Sequence, residues 1–256
     1  MQDLPIRIIS RLDIKGENVI KGIQLEGLRI IGNPNNLALN YYQEGIDEII
    51  FMDVVASLYG RNNLFNVINS AAKNIFVPIT VGGGIRNVDD INLALRNGAD
   101  KIAINTAAIK KPSILLEASK IFGSQCIVLS IEAKKRESNK WEALVDNGRE
   151  PTNISVLDWV KEAEKLGVGE ILLTSVDKEG TQLGFDLDLI ENVATTVNIP
   201  VIACGGAGST EDIEDLQKIK SQVAVCISSL FHYNKISPSN LKKKLFKKGL
   251  NVRIGS

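Results

Sequence analysis

Apolar and polar positions along this chain fall into two alternating patterns. Short runs rich in Ile, Val and Leu give way to stretches in which apolar residues recur every three or four positions. The first pattern is that of a strand buried on both faces, the second that of a helix laid over a sheet. The alternation occurs eight times, with strands expected at 7–13, 48–53, 78–82, 101–105, 126–132, 170–175, 200–204 and 223–228. Repeated units of this kind build a parallel sheet, and eight is the number that closes one. The expected fold is α/β, a single (β/α)8 TIM barrel.

Helix punctuation agrees. Asn33-Pro34 opens the first helix, with proline where its missing N–H costs nothing, and Gly45 closes it. Val88, Ile91 and Leu95 share one face ahead of Gly98. Val156, Trp159, Val160 and Ala163 share another behind a Ser155 cap, and Ser237-Pro238 starts the last helix. Two connections, 15–33 and 135–153, are longer than the rest. Both leave strand C-terminal ends, where a barrel keeps its active site, and both are expected to act as lids. Asn147-Gly148 marks a tight turn in the second.

One stretch has a twin. Pro78-Ile79-Thr80-Val81-Gly82-Gly83-Gly84 is matched by Pro200-Val201-Ile202-Ala203-Cys204-Gly205-Gly206, each leading into a helix. Glycines at a strand end expose backbone N–H groups that an anion can reach without meeting a Cβ. Gly82, Gly83 and Gly84 with Asn105 and Thr106 therefore form one candidate phosphate site, and Gly205 and Gly206 with Ser228 and Ser229 a second. Glycines needed merely for close packing are the plain alternative, which the duplication and the polar partners disfavour. Two such sites suit a ligand with two anionic ends.

The repeat extends further. Asp13 and Glu132 lie about 120 residues apart, as do Asp53 and Asp177. That period implies two half-barrels, approximately 1–122 and 123–256. Asp13 and Glu132 end the first and fifth strands, so closure sets them on opposite walls of one mouth. Two carboxyls facing one ligand divide general acid and base work if their surroundings separate their pKa values; otherwise they merely cap the following loops.

Composition removes several classes. Thirty basic and thirty acidic residues leave no net charge, which argues against a nucleic acid or an anionic membrane as partner. Cys126, Cys204 and Cys226 form no CxxC pair, so neither a disulfide framework nor a metal site is favoured, and no cofactor is expected. No stretch approaches the ~20 apolar residues that span a bilayer, and 1–11 lacks a secretory h-region, so the chain is expected to be cytoplasmic.

The motifs then point to a family. Leu12-Asp13, Val19-Ile20-Lys21-Gly22, the 81–86 stretch, Gly98-Ala99-Asp100-Lys101, Ile104-Asn105, Gly123-Ser124-Gln125, the run at 169–175, Gly180-Thr181, Gly205-Gly206-Ala207-Gly208 and Phe231-His232 cover the chain nearly end to end. In these it resembles the cyclase subunits of imidazole glycerol phosphate synthase, within the barrel family that also holds the phosphoribosyl isomerase of histidine biosynthesis. The resemblance implies a barrel that takes ammonia from a partner glutaminase at its N-terminal face. The ammonia reacts with a bis-phosphorylated ribulosyl-formimino-carboxamide nucleotide to give imidazole glycerol phosphate and aminoimidazole carboxamide ribotide. It places the catalytic acids on Asp13 and Glu132, the lid lysine on Lys21 and the phosphate contacts on the glycine sites. Asp53, Thr174, Asp177 and Glu179 complete the expected binding set. Arg7, Glu48, Lys101 and Glu170 would surround the ammonia entrance; a salt-bridge ring closing the stable face is the simpler alternative.

Several positions depart from that family. Arg11 stands where a small residue, usually cysteine, is found, and it shares a strand face with Asp13. Glu132 replaces an aspartate, Glu179 another, Cys204 a serine and Asn147 a residue commonly serine. An inward guanidinium is expected to pair with Glu132 across the cavity and to lower nearby carboxyl pKa values, which would weaken any general acid. Two other functions stay open: an ammonia-channelling paralogue acting in amidino-sugar synthesis for surface polysaccharides, and a silent barrel that activates the glutaminase. His232 reads as structural.

Overall fold

The structure, a computed structural model, describes residues 4–56, 64–219 and 223–254. Twelve strands are seen among them: β1 (Ile8–Lys15), β2 (Asn18–Ile23), β3 (Glu26–Gly32), β4 (Glu48–Asp53), β5 (Ile79–Gly82), β6 (Lys101–Ile104), β7 (Ile127–Glu137), β8 (Lys140–Val145), β9 (Glu150–Ser155), β10 (Glu170–Ser175), β11 (Val201–Cys204) and β12 (Val223–Ile227). Eight of them, in the order β1-β4-β5-β6-β7-β10-β11-β12, pair in parallel, and β12 returns to β1. The expected (β/α)8 barrel is closed, with all eight expected strands in place.

The two long connections differ from their reading as loops. Each is an antiparallel hairpin, β2–β3 after β1 and β8–β9 after β7, so these two barrel strands run on past the rim. The β2–β3 turn lies at Gln24 and Leu25, with φ of 52° and 66°. Positive φ at both central residues matches the twist of the flanking strands, but the usual Asn-Gly or Asp-Gly signal is missing. The expected turn at Asn147-Gly148 is present, and Asp146, Asn147 and Gly148 all have positive φ.

Caps form as the sequence indicates. The Asn33 side chain accepts from the backbone N–H groups of Asn35 and Asn36, Ser155 from that of Asp158, and Ser237 from that of Asn240. Such caps satisfy donors that a helix start leaves orphaned, each contributing about 1 kcal/mol. The helix Val88–Arg96 buries Ile91 and Ala94 fully, while Leu95 is half-buried.

Alternation along each barrel strand sorts its side chains. On β1, Ile8 and Leu12 join the layer between barrel and helices, whereas Ile9 points inward with Ile50, Met52, Ala103, Val128, Leu172, Ile202 and Ala224. Arg11 and Asp13 share the inward parity of Ile9. Below Ile9 the parity brings in Arg7, and above it the chain delivers charge to the mouth.

Candidate functional site

β1 and β7 are four places apart in a ring of eight, so Asp13 and Glu132 stand diametrically across the mouth. Both are buried. Their surroundings differ. Arg11 Nε donates to Asp13 Oδ1 at 2.7 Å and its Nη1 to Thr174 Oγ1 at 3.0 Å. Burial opposes the charge on Asp13, but Arg11 and Lys21 beside it hold its carboxyl below the ordinary range. Glu132 instead accepts from the Asn105 amide. Burial pushes its carboxyl up to about 7, with Asp13 adding to the rise and Arg11 offsetting part of it.

The expected Arg11–Glu132 ion pair is therefore not formed. Residues two apart on one strand face are neighbours, and Asp13 takes the guanidinium first. The expected loss of a general acid is reversed as well, because desolvation outweighs the cation at Glu132. One carboxyl is kept ionised and the other holds a proton near neutrality.

The glycine sites flank this pair. A cavity of about 300 Å³ opens over the first half, lined by Gly83, Gly84, Asn105, Thr106, Asp53 and Glu132. A much smaller one, about 10 Å³, is lined by Gly205, Gly206, Ser228, Ser229, Lys21 and Glu179. Between them a third, also about 10 Å³, holds Asp13, and it shares Val54 and Asn147 with the first and Lys21 and Glu179 with the second. The two halves are alike in backbone. Asn105 has φ −122° and ψ −86°, Ser228 has φ −123° and ψ −67°, and neither side chain caps the short helix that follows. First-turn N–H groups are thus left without side-chain partners at both rims.

Close packing also demands these glycines. Gly83 has φ +88°, and a Cβ there would lie 2.0 Å from the Asp53 carbonyl oxygen; Gly206 has φ +109°, and its Cβ would lie 2.1 Å from that of Gly184. Packing and cavity lining thus fall on the same residues. Gly82 is different: its missing side chain makes room for Met52 Sδ inside the barrel, and it does not line the cavity.

Other expected binding residues are engaged elsewhere. Thr174 is fully buried beneath the mouth as the brace for Arg11. The Asp177 carboxylate pairs with Lys134 at 2.6 Å and accepts from the Lys135 N–H at 2.8 Å, outside the three cavities. Lys21 and Glu179 form a buried ion pair. The Ser228 hydroxyl donates to the Arg11 carbonyl at 2.9 Å. Sequence reading passed over Arg86, Lys110, Lys111, Ser130 and Asp146 on the first cavity's wall. The signal for the lysines was their place at and just past the far end of the short helix Thr106–Lys110 that follows Asn105.

At the opposite end, Arg7 Nη1 meets Glu48 at 2.7 Å and Nη2 meets Glu170 at 2.5 Å, while Lys101 Nζ reaches the same two acids at 3.0 and 2.9 Å. The four form a closed ring in which each acid holds one arginine and one lysine. Burial disfavours both cations, yet the two glutamates more than offset it and raise both pKa values. His232 lines none of the three cavities and is not in the ring. It sits between the Tyr41 hydroxyl at 2.8 Å and the Arg11 carbonyl at 3.1 Å, and burial lowers it to about 4.

Known proteins resemble this chain over most of its length. A model of the family described as histidine biosynthesis protein matches residues 7–237. The imidazole glycerol phosphate synthase subunit HisF of Legionella pneumophila is 59% identical over 207 residues, covering 81% of this chain and 98% of its own length. That of Prochlorococcus marinus (strain MIT 9215) is 46% identical over 250 residues, covering 97% and 98%. That of Streptococcus mutans is 43% identical over 247 residues, covering 96% and 98%. The chain belongs to the histidine biosynthesis protein family, among its HisF-type subunits.

Proposed function

We propose that this barrel is the cyclase subunit of a glutamine-dependent imidazole glycerol phosphate synthase, a carbon–nitrogen lyase. It accepts ammonia from a glutaminase subunit docked on its N-terminal face. It converts a bis-phosphorylated ribulosyl-formimino-carboxamide nucleotide to imidazole glycerol phosphate and aminoimidazole carboxamide ribotide. The observation that carries this reading is the pair of opposed carboxyls of unlike acidity, set between two glycine-lined cavities. Residues 1–122 and 123–256 are on this reading two copies of one half-barrel. Each supplies four barrel strands, a hairpin after its first strand and a glycine turn after its third.

A phosphate in each cavity stretches the ligand across the mouth and leaves its reacting centre between Asp13 and Glu132. Asp13, ionised, accepts a proton from the nitrogen of ammonia as that nitrogen bonds to the ribulosyl ketone carbon, whose oxygen leaves as water in the course of ring formation. Glu132, whose carboxyl is raised to about 7 and so carries a proton in part of the molecules at neutral pH, gives it to the departing nitrogen of the carboxamide ribotide. General acid and base groups so placed contribute about 10² to 10⁴ each in rate. Lys21 serves the second phosphate once it leaves Glu179, and Arg86, Lys110 and Lys111 surround the first.

The ring of Arg7, Glu48, Lys101 and Glu170, closed by its four ion pairs, is the ammonia gate on this reading. Balanced charge fits a small-molecule enzyme with no nucleic-acid or membrane partner, and free cysteines suit a cytoplasmic location. A silent barrel has no need of acids driven apart in acidity, and relatives at 43–59% identity share one name, which disfavours the sugar-amidating reading. The test is direct: purified protein, the bis-phosphorylated nucleotide and high ammonium, without glutaminase. Formation of imidazole glycerol phosphate is expected; binding without turnover would overturn the assignment.

A further inference from the structure

Arg11 is 2% exposed, and its contacts cross the barrel. β1 and β10 are three places apart in the ring, so a side chain from β1 that bonds Thr174 on β10 spans the lumen beneath β11 and β12. Nε holds Asp13, Nη1 holds Thr174, and Nη2 is buried without a partner. We propose that Arg11 is a positioning residue for the reaction. Gripping Asp13 from below and bracing on Thr174, it fixes that carboxylate in place and assigns the proton-accepting role to Asp13 and the donating role to Glu132.

Charge balance carries the argument. A guanidinium does not lose its proton in a protein, so a buried one requires an anion beside it. Asp13 is that anion, and its ionisation is locked by its neighbour. The other buried cation at the mouth, Lys21, is matched by Glu179. Two cations are thus consumed by two carboxylates, and Glu132 is a third acid facing the same cluster with an amide as its partner. Burial first, and then the anion already committed on Asp13, disfavour a second carboxylate, so Glu132 keeps its proton up to about neutral pH. The groups that face this cluster are Arg11 and Asp13 on β1, Lys21 on β2, Glu132 on β7, Glu179 after β10, Cys204 on β11, Cys226 on β12 and His232 beyond β12. With a neutral side chain at 11, Asp13 would have to share Lys21 with Glu179.

This inference rests on the proposed cyclase reading for its kinetic half. Its other half is read without substrate, by following the Asp13 carboxyl carbon through a pH titration by NMR. In Arg11→Met the Asp13 midpoint is expected to rise by about 1 to 3 pH units. Ammonium-dependent kcat should fall about 100-fold, as for a misplaced catalytic group, with the nucleotide KM little changed. Both limbs of the kcat/KM profile should move to higher pH, because Arg11 lowers both carboxyls. Arg11→Lys, which keeps the charge, should leave both limbs in place and restore part of kcat. If Arg11→Met does not fold, Arg11→Lys and the double variant Arg11→Met/Asp13→Asn decide. The inference then requires a folded, inactive double variant and an unmoved profile in Arg11→Lys. An Asp13 midpoint and pH limbs unchanged in folded Arg11→Met, a KM that rises while kcat holds, or an Arg11→Lys profile displaced from wild type would each overturn it. Absence of turnover in the wild type would defeat the cyclase reading and leave the titration to judge Arg11 alone.

Discussion

Asp13 and Glu132 occupy the same place in the two halves of the barrel, yet one is held ionised and the other titrates near 7. Part of the difference lies two residues earlier. On β1 the preceding inward position is Arg11; on β7 it is Ser130, whose buried hydroxyl has no partner. A cation on one wall and a neutral group on the other help turn two matched carboxyls into an acceptor and a donor. Symmetry supplies the opposed geometry; Arg11 and Lys21 beside Asp13, against burial at Glu132, supply the division of labour.

The largest effect is expected at the ionised acid. Asp13→Asn should lower ammonium-dependent turnover by about 10² to 10⁴. It also strands the Arg11 charge, so unfolding by denaturant should show a loss of about 3–5 kcal/mol. A folded, stable and active Asp13→Asn would mean that the halves are not divided as described. The next effect is at Glu132. Glu132→Gln should reduce turnover by about 100-fold and remove the limb near pH 7.

Stability gives a second view of Glu132. Its pKa in the folded chain is raised from 4.5 to about 7, so its favourable contribution is complete below about pH 4.5 and is lost as pH rises through about 7. The wild type should therefore lose on the order of 3 kcal/mol over that window, from this group. Glu132→Gln should lose correspondingly less. Urea midpoints across the window measure the difference.

The sequence carries the barrel well and its charges less well. Eight apolar runs bounded by glycine and proline specify closure, and the paired glycine clusters specify both cavities, because each depends on local pattern. Arg11 could be placed inward from parity alone. Its partner could not, since choosing Asp13 over Glu132 needs distances across a closed ring, and the net acidity of Glu132 needs the depth of its burial. The first hairpin escaped notice because Gln24-Leu25 turns without glycine or asparagine, whereas the Asn147-Gly148 turn of the second was legible. Asp177 sits where the repeat predicts, but the extended β7 brings Lys134 to it.

The two cavities offer a finer comparison. The first is open, about 300 Å³, with Arg86, Lys110 and Lys111 on its wall; the second is nearly filled, and its cation Lys21 is held by Glu179. An incoming phosphate must displace Glu179 from buried Lys21 in the second half, whereas at the first the competing pair, Arg86 with Asp90, has its cation exposed to solvent and is parted at less cost. Inorganic phosphate titrated into the isolated chain should accordingly shift the amide signals of Gly83 and Gly84 before those of Gly205 and Gly206. A tenfold difference in apparent Kd corresponds to about 1.4 kcal/mol, a modest sum for separating one ion pair. Glu179→Gln should narrow the gap by releasing Lys21, and added salt should weaken binding at both cavities. Equal filling in the wild type, or a Glu179→Gln variant in which Gly205 and Gly206 lag as before, would show that the ion pair does not set the order.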